Sequence, residues 1–126
     1  MIKAAFLDRD GVVNVEKGYV YKIEDFEFNK GIFGLCRLFQ HRRYKIVIIS
    51  NQSGIARGFY TIDQLKKLTG WMRNRFKDQG VIISKFYFCP HHPVKGIGRF
   101  KKKCVCRKPS PGMILRAKKE LQLNLS

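Results

Sequence analysis

The chain has 126 residues, room for one domain and little more. Its 44% hydrophobic content can fill a core, 28% charged residues suit a soluble fold, and the longest apolar run, around Ile46 to Ile49, is too short to cross a bilayer. With 26 basic against 9 acidic residues the net charge is +17, which would suit a polyanionic partner, but basic residues spread over solvated faces are the simpler reading.

In chain order, residues 3–8 form a short apolar strand that runs into Asp8, and it meets this charge before any signal-peptide core could form, so the expected compartment is the cytoplasm. Residues 11–30, rich in Gly, Tyr and charge, read as a loop or small hairpin. Residues 31–41 place Ile32, Leu35, Cys36 and Phe39 at i, i+3, i+4 and i+7, the pattern of an amphipathic helix, with a basic C-terminal end. Ile46-Val47-Ile48-Ile49 is continuous and β-branched, as in a strand buried on both faces, and it stops at the polar loop Ser50-Asn51-Gln52-Ser53-Gly54. Thr61 and Gln64 have the spacing of a capping box. The helix they open turns Leu65, Leu68, Met72 and Phe76 inward and ends near Gly80. Residues 81–88 are expected to hold a third strand, centred on Lys85 to Phe88. Ser110 as N-cap and Pro111 in the first turn open a last helix, with Ile114, Ala117 and Leu121 on its core side.

Strands alternating with helices predict an α/β fold: a parallel sheet, helices on both faces, and a ligand crevice beyond the carboxyl ends of the strands. Asp8-Arg9-Asp10-Gly11, Ser50-Asn51-Gln52 and Cys89-Pro90-His91 each follow a predicted strand, so all three converge on one edge of the sheet. Asp8 and Asp10 are two apart, which points them to one side of a continued strand. Two such carboxylates repel and call for a cation or a shared proton, and an oxygen-rich pair suits magnesium beside a phosphate. Ser50 and Asn51 offer a hydroxyl, an amide and backbone N–H groups to phosphate oxygens, while Arg107 and Lys108 add a forked guanidinium and a point charge. Together these residues predict a phosphoryl-transfer site.

Cys89, Cys104 and Cys106 fall within eighteen residues alongside His91, in a segment whose stretch Lys95 to Lys108 holds seven basic residues in fourteen positions. Without a secretory signal the cluster reads as a metal site rather than a disulfide framework, and three cysteines with one histidine read as closed, structural zinc. Spacing alone does not choose between His91 and His92. Zinc would close a loop longer than usual and fix Arg107 and Lys108 next to Cys106. Cys36, alone on a helix face, reads as a small buried apolar residue.

Asp8-Arg9-Asp10-Gly11-Val12-Val13-Asn14 resembles the first motif of the haloacid dehalogenase superfamily, Ser50-Asn51-Gln52 its second and Lys108 its third. Ser50 to Gly58, Cys89-Pro90-His91-His92-Pro93 and Cys106-Arg107-Lys108-Pro109 narrow the resemblance to the heptose bisphosphate phosphatases and the related histidinol phosphate phosphatases. The run Arg107 with Pro109 to Met113 is closer to the heptose enzymes. This resemblance implies a Rossmann-like fold with a minimal cap and a zinc-stapled loop over 89–106. It implies Asp8 as nucleophile, Asp10 as general acid and base, and Ser50 and Lys108 as stabilisers of the transferring phosphoryl group. Asp8 and Asp10 would hold Mg2+, and Cys89, His91, Cys104 and Cys106 would hold Zn2+. Glu16, Lys17, Gly18 and Tyr19, then Asn51, Gln52 and Ser53, match substrate-binding positions, and Arg107 matches the reader of a second phosphate. Such a protein acts on a small sugar bisphosphate, with neither a membrane nor nucleic acid as partner, and is expected to be a monomer when complete. Family members continue into a further strand ending in an acidic motif, so residues 1–126 are expected to be one domain, incomplete at its C-terminus. An inactive phosphosugar-binding fragment and a basic zinc nucleic-acid-binding module are the competing readings.

Overall fold

The computed structural model describes residues 2–92, 98–100, 106–108 and 111–122. Three strands, β1 (Lys3–Asp8), β2 (Tyr44–Asn51) and β3 (Ile83–Cys89), form a parallel sheet in the order β1-β2-β3. Helix α1 (Ile32–His41) connects the first pair. The short α2 (Ser53–Ala56) and the long α3 (Ile62–Asp78) connect the second, and α4 (Gly112–Leu121) follows β3. No helix of the described residues is long and apolar enough to cross a membrane.

The sheet is covered on both faces, and the β2 sequence shows why. Successive side chains of a strand alternate. Ile46 and Ile48 pack with Ala5, Leu7 and Ile83 against α1 and α3, whereas Val47 and Ile49 pack with Tyr87 and Cys89 against Met113 and Ala117 of α4. A strand with apolar residues at every position needs a layer on each side. Helix α3 starts as its sequence directs: the Thr61 side chain accepts from the Gln64 backbone N–H at 3.1 Å, and the Gln64 side chain accepts in return from the Thr61 N–H at 2.8 Å. Its residues Leu65, Leu68, Met72 and Phe76 are buried.

Four local expectations shift. Leu35 is 42% exposed, and Phe33 packs inward in its place, against the rings of Phe28 and Phe76. At about 100° per residue, Phe33 lies about 60° round the helix from the fully buried Cys36 and Leu35 about 100°. Strand β3 begins at Ile83 and reaches Cys89, longer than its apolar pattern suggests. Its register against β2 shifts between Ile46 and Val47, so Ser84 has no opposite number and the alternation is broken there. Helix α4 starts one residue late: Pro111 is its N-cap, and its carbonyl accepts the first helical bond from the Leu115 N–H at 2.9 Å. Ser110 lies outside the described residues. On the inner side of α4, Met113 and Ala117 are buried, and Ile114 and Leu121 are partly so.

The segment between β1 and α1 is more than a solvated loop. Val13 and Asn14 are fully buried, Val20 and Phe26 nearly so, and Asn14 bridges to both Asp10 and Phe28. The chain can turn there because Gly11 takes φ +93°, a conformation that side chains disfavour, and its N–H bonds the Asn14 carbonyl at 2.8 Å.

Candidate active site

The parallel register aligns the carboxyl ends of the strands, pairing Asp8 with Ile49 and Asn51 with Cys89. The three polar segments seen in the sequence therefore meet at one edge. Asp8 ends β1 there, two residues before Asp10, and the Lys108 ammonium forms an ion pair with Asp8 Oδ1. Burial pulls the Lys108 pKa below its ordinary value, and the charge it keeps faces a carboxylate.

Asp10 is held by three donors. Its Oδ1 accepts from Arg9 Nη2 at 2.8 Å and Asn14 Nδ2 at 3.1 Å, and its Oδ2 accepts from Gln52 Nε2 at 3.2 Å. Arg9 was not among the expected site residues. It is 1% exposed, packs over the Phe26 ring, and donates the same Nη2 to the Val20 carbonyl at 2.7 Å. A guanidinium buried beside Asp10 supplies a fixed counter-charge, the pairing a buried charge requires. Ser50 is also buried, and its hydroxyl accepts from Gln52 Nε2 at 2.6 Å.

Asn51 does something the sequence did not suggest. Its side-chain oxygen accepts from the Lys108 N–H at 2.8 Å, and its nitrogen donates to the Lys108 carbonyl at 3.2 Å. This two-point clasp fastens the Lys108 backbone to the end of β2.

A cavity of about 430 Å³ opens at this edge, lined by Arg9, Asp10, Glu16, Gly18, Tyr19, Val20, Ser50 to Ser53, Tyr60 and Lys108. Most of the expected substrate-binding positions are in it. Glu16 accepts from the Gly18 N–H at 2.9 Å, bending the segment into place. Tyr19 carries the Arg57 guanidinium over its ring, and its hydroxyl accepts from Arg57. Lys17 and Arg107 are not brought into this lining: Lys17 pairs with Glu27 at 3.0 Å, and Arg107 donates to the His91 carbonyl at 3.4 Å. A larger cavity, about 720 Å³, shares Tyr60 but is otherwise walled by Ile55, Gly58 to Gln64, Gly98 and Arg99, none of them an expected reacting group. Chemistry, rather than size, marks the smaller one.

Cys89, His91 and Cys106 come together at the end of β3, with one ligand atom from each lying within 4.8 Å of the others, a group that could hold a metal ion. His91 Nδ1 lies 3.8 Å from the Cys89 sulfur and 3.5 Å from that of Cys106. The structure joins Cys89 and Cys106 as a disulfide, with Cα atoms 5.5 Å apart. Cys104, the fourth expected ligand, lies outside the described residues. Cys36 stands apart, fully buried, with its thiol pushed up to about 11 by burial.

Residues 4–126 match the family model described as polynucleotide kinase 3 phosphatase. The chain is 46% identical over 125 residues to the D-glycero-beta-D-manno-heptose-1,7-bisphosphate 7-phosphatase of Yersinia pestis, covering 99% of this chain and 66% of that protein. It is 52% identical over 123 residues to the D-glycero-alpha-D-manno-heptose-1,7-bisphosphate 7-phosphatase of Campylobacter jejuni, covering 98% and 66%. The crystal structure of D,D-heptose 1,7-bisphosphate phosphatase from B. bronchiseptica, complexed with magnesium and phosphate, superposes with a TM-score of 0.83 at 29% identity, covering 99% of this chain and 66% of that one. The chain thus spans about two thirds of the length of these relatives.

Proposed function

Because the chain belongs to the polynucleotide kinase 3 phosphatase family of haloacid dehalogenase-like phosphatases, we propose that it removes a phosphate from a heptose bisphosphate, the 7-phosphate of D-glycero-D-manno-heptose 1,7-bisphosphate. The observation that carries this reading is the pairing at one sheet edge of Asp8 with Lys108 beside an Asp10 held by three donors.

An Asp8 carboxylate oxygen attacks phosphorus, the bond from phosphorus to the sugar oxygen breaks, and the Asp10 carboxyl gives its proton to that oxygen. Asp10, now a carboxylate, takes a proton from water as the water attacks the aspartyl phosphate. Inorganic phosphate leaves and Asp8 is restored. Lys108 and Ser50 offset charge on the transferring oxygens. Two adjacent carboxylates at this edge are donors of the kind magnesium takes. The Asp8 side chain and the Asp10 backbone carbonyl would hold the ion, which supplies positive charge against the phosphoryl oxygens when bound.

Glu16, Gly18, Tyr19 and Ser53, which line the cavity, are the proposed sugar contacts, with Arg107 reading the distal phosphate. Asn51 and Gln52 serve the same pocket through the groups they hold, Lys108 and Asp10. Cys89, His91, Cys104 and Cys106 would hold zinc, which would order the segment 89–106 within one catalytic domain. Two thiolates and an imidazole are a fitting donor set, provided that Cys89 and Cys106 are reduced. That requirement fits a reducing cytoplasm.

The test is phosphate release from the alpha and beta heptose 1,7-bisphosphates with magnesium, by the parent chain and by Asp8→Asn. The parent releases one phosphate per substrate and forms an acid-quenched phosphoprotein; the variant does neither. Turnover at the parental rate by Asp8→Asn would refute the assignment.

A further inference from the structure

Tyr60 lies outside the three sequence motifs, yet it closes a chain of buried contacts that ends on Asp10. It is 5% exposed, its ring stacks on Tyr21 with centroids 4.9 Å apart, and its hydroxyl donates to Gln52 Oε1. Gln52 is itself 3% exposed. A primary amide has an acceptor end and a donor end, so anchoring the oxygen decides where the nitrogen points. Here Nε2 faces Ser50 Oγ at 2.6 Å and Asp10 Oδ2 at 3.2 Å. Turned over, the same amide would set its carbonyl oxygen against a carboxylate and a hydroxyl oxygen, leaving Asp10 Oδ2 without this donor. Arg9 and Asn14 fix the other oxygen, so the plane of the carboxyl is settled by Gln52, and Gln52 is settled by Tyr60. Burial raises the Tyr60 pKa, which favours the protonated hydroxyl that donates to Gln52.

We propose that Tyr60 is a positioning residue for Asp10, acting through the orientation of the Gln52 amide. The inference rests on Asp10 being the general acid and base. A misdirected acid matters where the leaving oxygen needs a proton. A sugar alkoxide does; p-nitrophenolate leaves without one.

The test is kcat/KM for the heptose bisphosphate and for p-nitrophenyl phosphate, with magnesium, in the parent, Tyr60→Phe, Gln52→Ala and the double variant. Tyr60→Phe lowers the value for the sugar ester by about tenfold, the loss of one buried hydrogen bond, and that for the aryl ester by less than about twofold. On the Gln52→Ala background, Tyr60→Phe has no further effect. Equal losses on both esters, or additive losses in the double variant, overturn the proposal. Asp10→Asn tests the underlying reading separately: it must show the same leaving-group selectivity, only larger. The Gln52 side-chain amide protons, followed by 15N NMR, give a readout independent of turnover. They exchange slowly in the parent and quickly in Tyr60→Phe; unchanged exchange in that variant also overturns the proposal.

Discussion

Replacing Asn51 by Ala removes both bonds that fasten the Lys108 backbone to β2, at 2.8 and 3.2 Å. Each is a neutral bond, worth about 0.5–1.5 kcal/mol net, so the pair contributes about 1–3 kcal/mol to holding Lys108 against Asp8. If that energy serves the placement of the ammonium in the transition state, kcat/KM falls by about 5- to 150-fold. The sequence pattern alone suits direct contact of Asn51 with phosphate oxygens, and the two roles separate in a double-mutant cycle. In a Lys108→Ala background a clasp has nothing left to place, so Asn51→Ala adds little. A direct phosphate contact would still cost its full amount. Phosphate release gives the rates, and thermal unfolding of the four proteins shows whether the fold is intact. Turnover at the parental rate in Asn51→Ala, or a loss undiminished in the Lys108→Ala background, refutes the reasoning.

The purified, reduced protein carries about one zinc per chain by elemental analysis, as a closed four-ligand site requires, and serine at any two of Cys89, Cys104 and Cys106 abolishes it. Arg107→Ala impairs a bisphosphate more than a monophosphate, by about 1.5–3 kcal/mol in relative kcat/KM for one charge-assisted contact; equal losses on both would remove Arg107 from the distal phosphate. Gly54→Ala destabilises the chain by about 1–3 kcal/mol in chemical denaturation, since the new methyl overlaps the Tyr60 ring and comes within 2.8 Å of Tyr19 Cδ1.

Much of this architecture is legible in the sequence because its signals are local. The β-branched run at Ile46 to Ile49 needs two covering layers, and the Thr61–Gln64 pair is a cap within one turn. The convergence of Asp8, Ser50 and Cys89 follows from parallel strands alone. What stays hidden depends on distance in the chain. No rule of spacing ties Asn51 to a backbone 57 residues later. Nothing about Arg9 by itself says that a guanidinium beside two exposed-looking aspartates is buried; the cue, visible in retrospect, is that a strand carrying Asp8 and Asp10 outward turns the residue between them inward. Tyr60 carries no local signal for a similar reason, since its hydrogen-bonded route to Asp10 passes through another side chain, Gln52. Leu35 and Phe33 each fit an apolar stripe with Cys36, and the neighbouring Phe28 and Phe76 rings decide for Phe33.

The strands lie side by side in the order in which they are synthesised. A nascent chain can therefore lay down the sheet progressively, β2 joining β1 and β3 joining β2, with no place held open for a later strand between them. Lys108 is delivered long after Asp8 and Asn51 have emerged. Until then the pair of aspartates faces water without its ammonium partner. A chain stopped just past β3 would lack both the cation that pairs with Asp8 and α4, the layer that covers Val47 and Ile49.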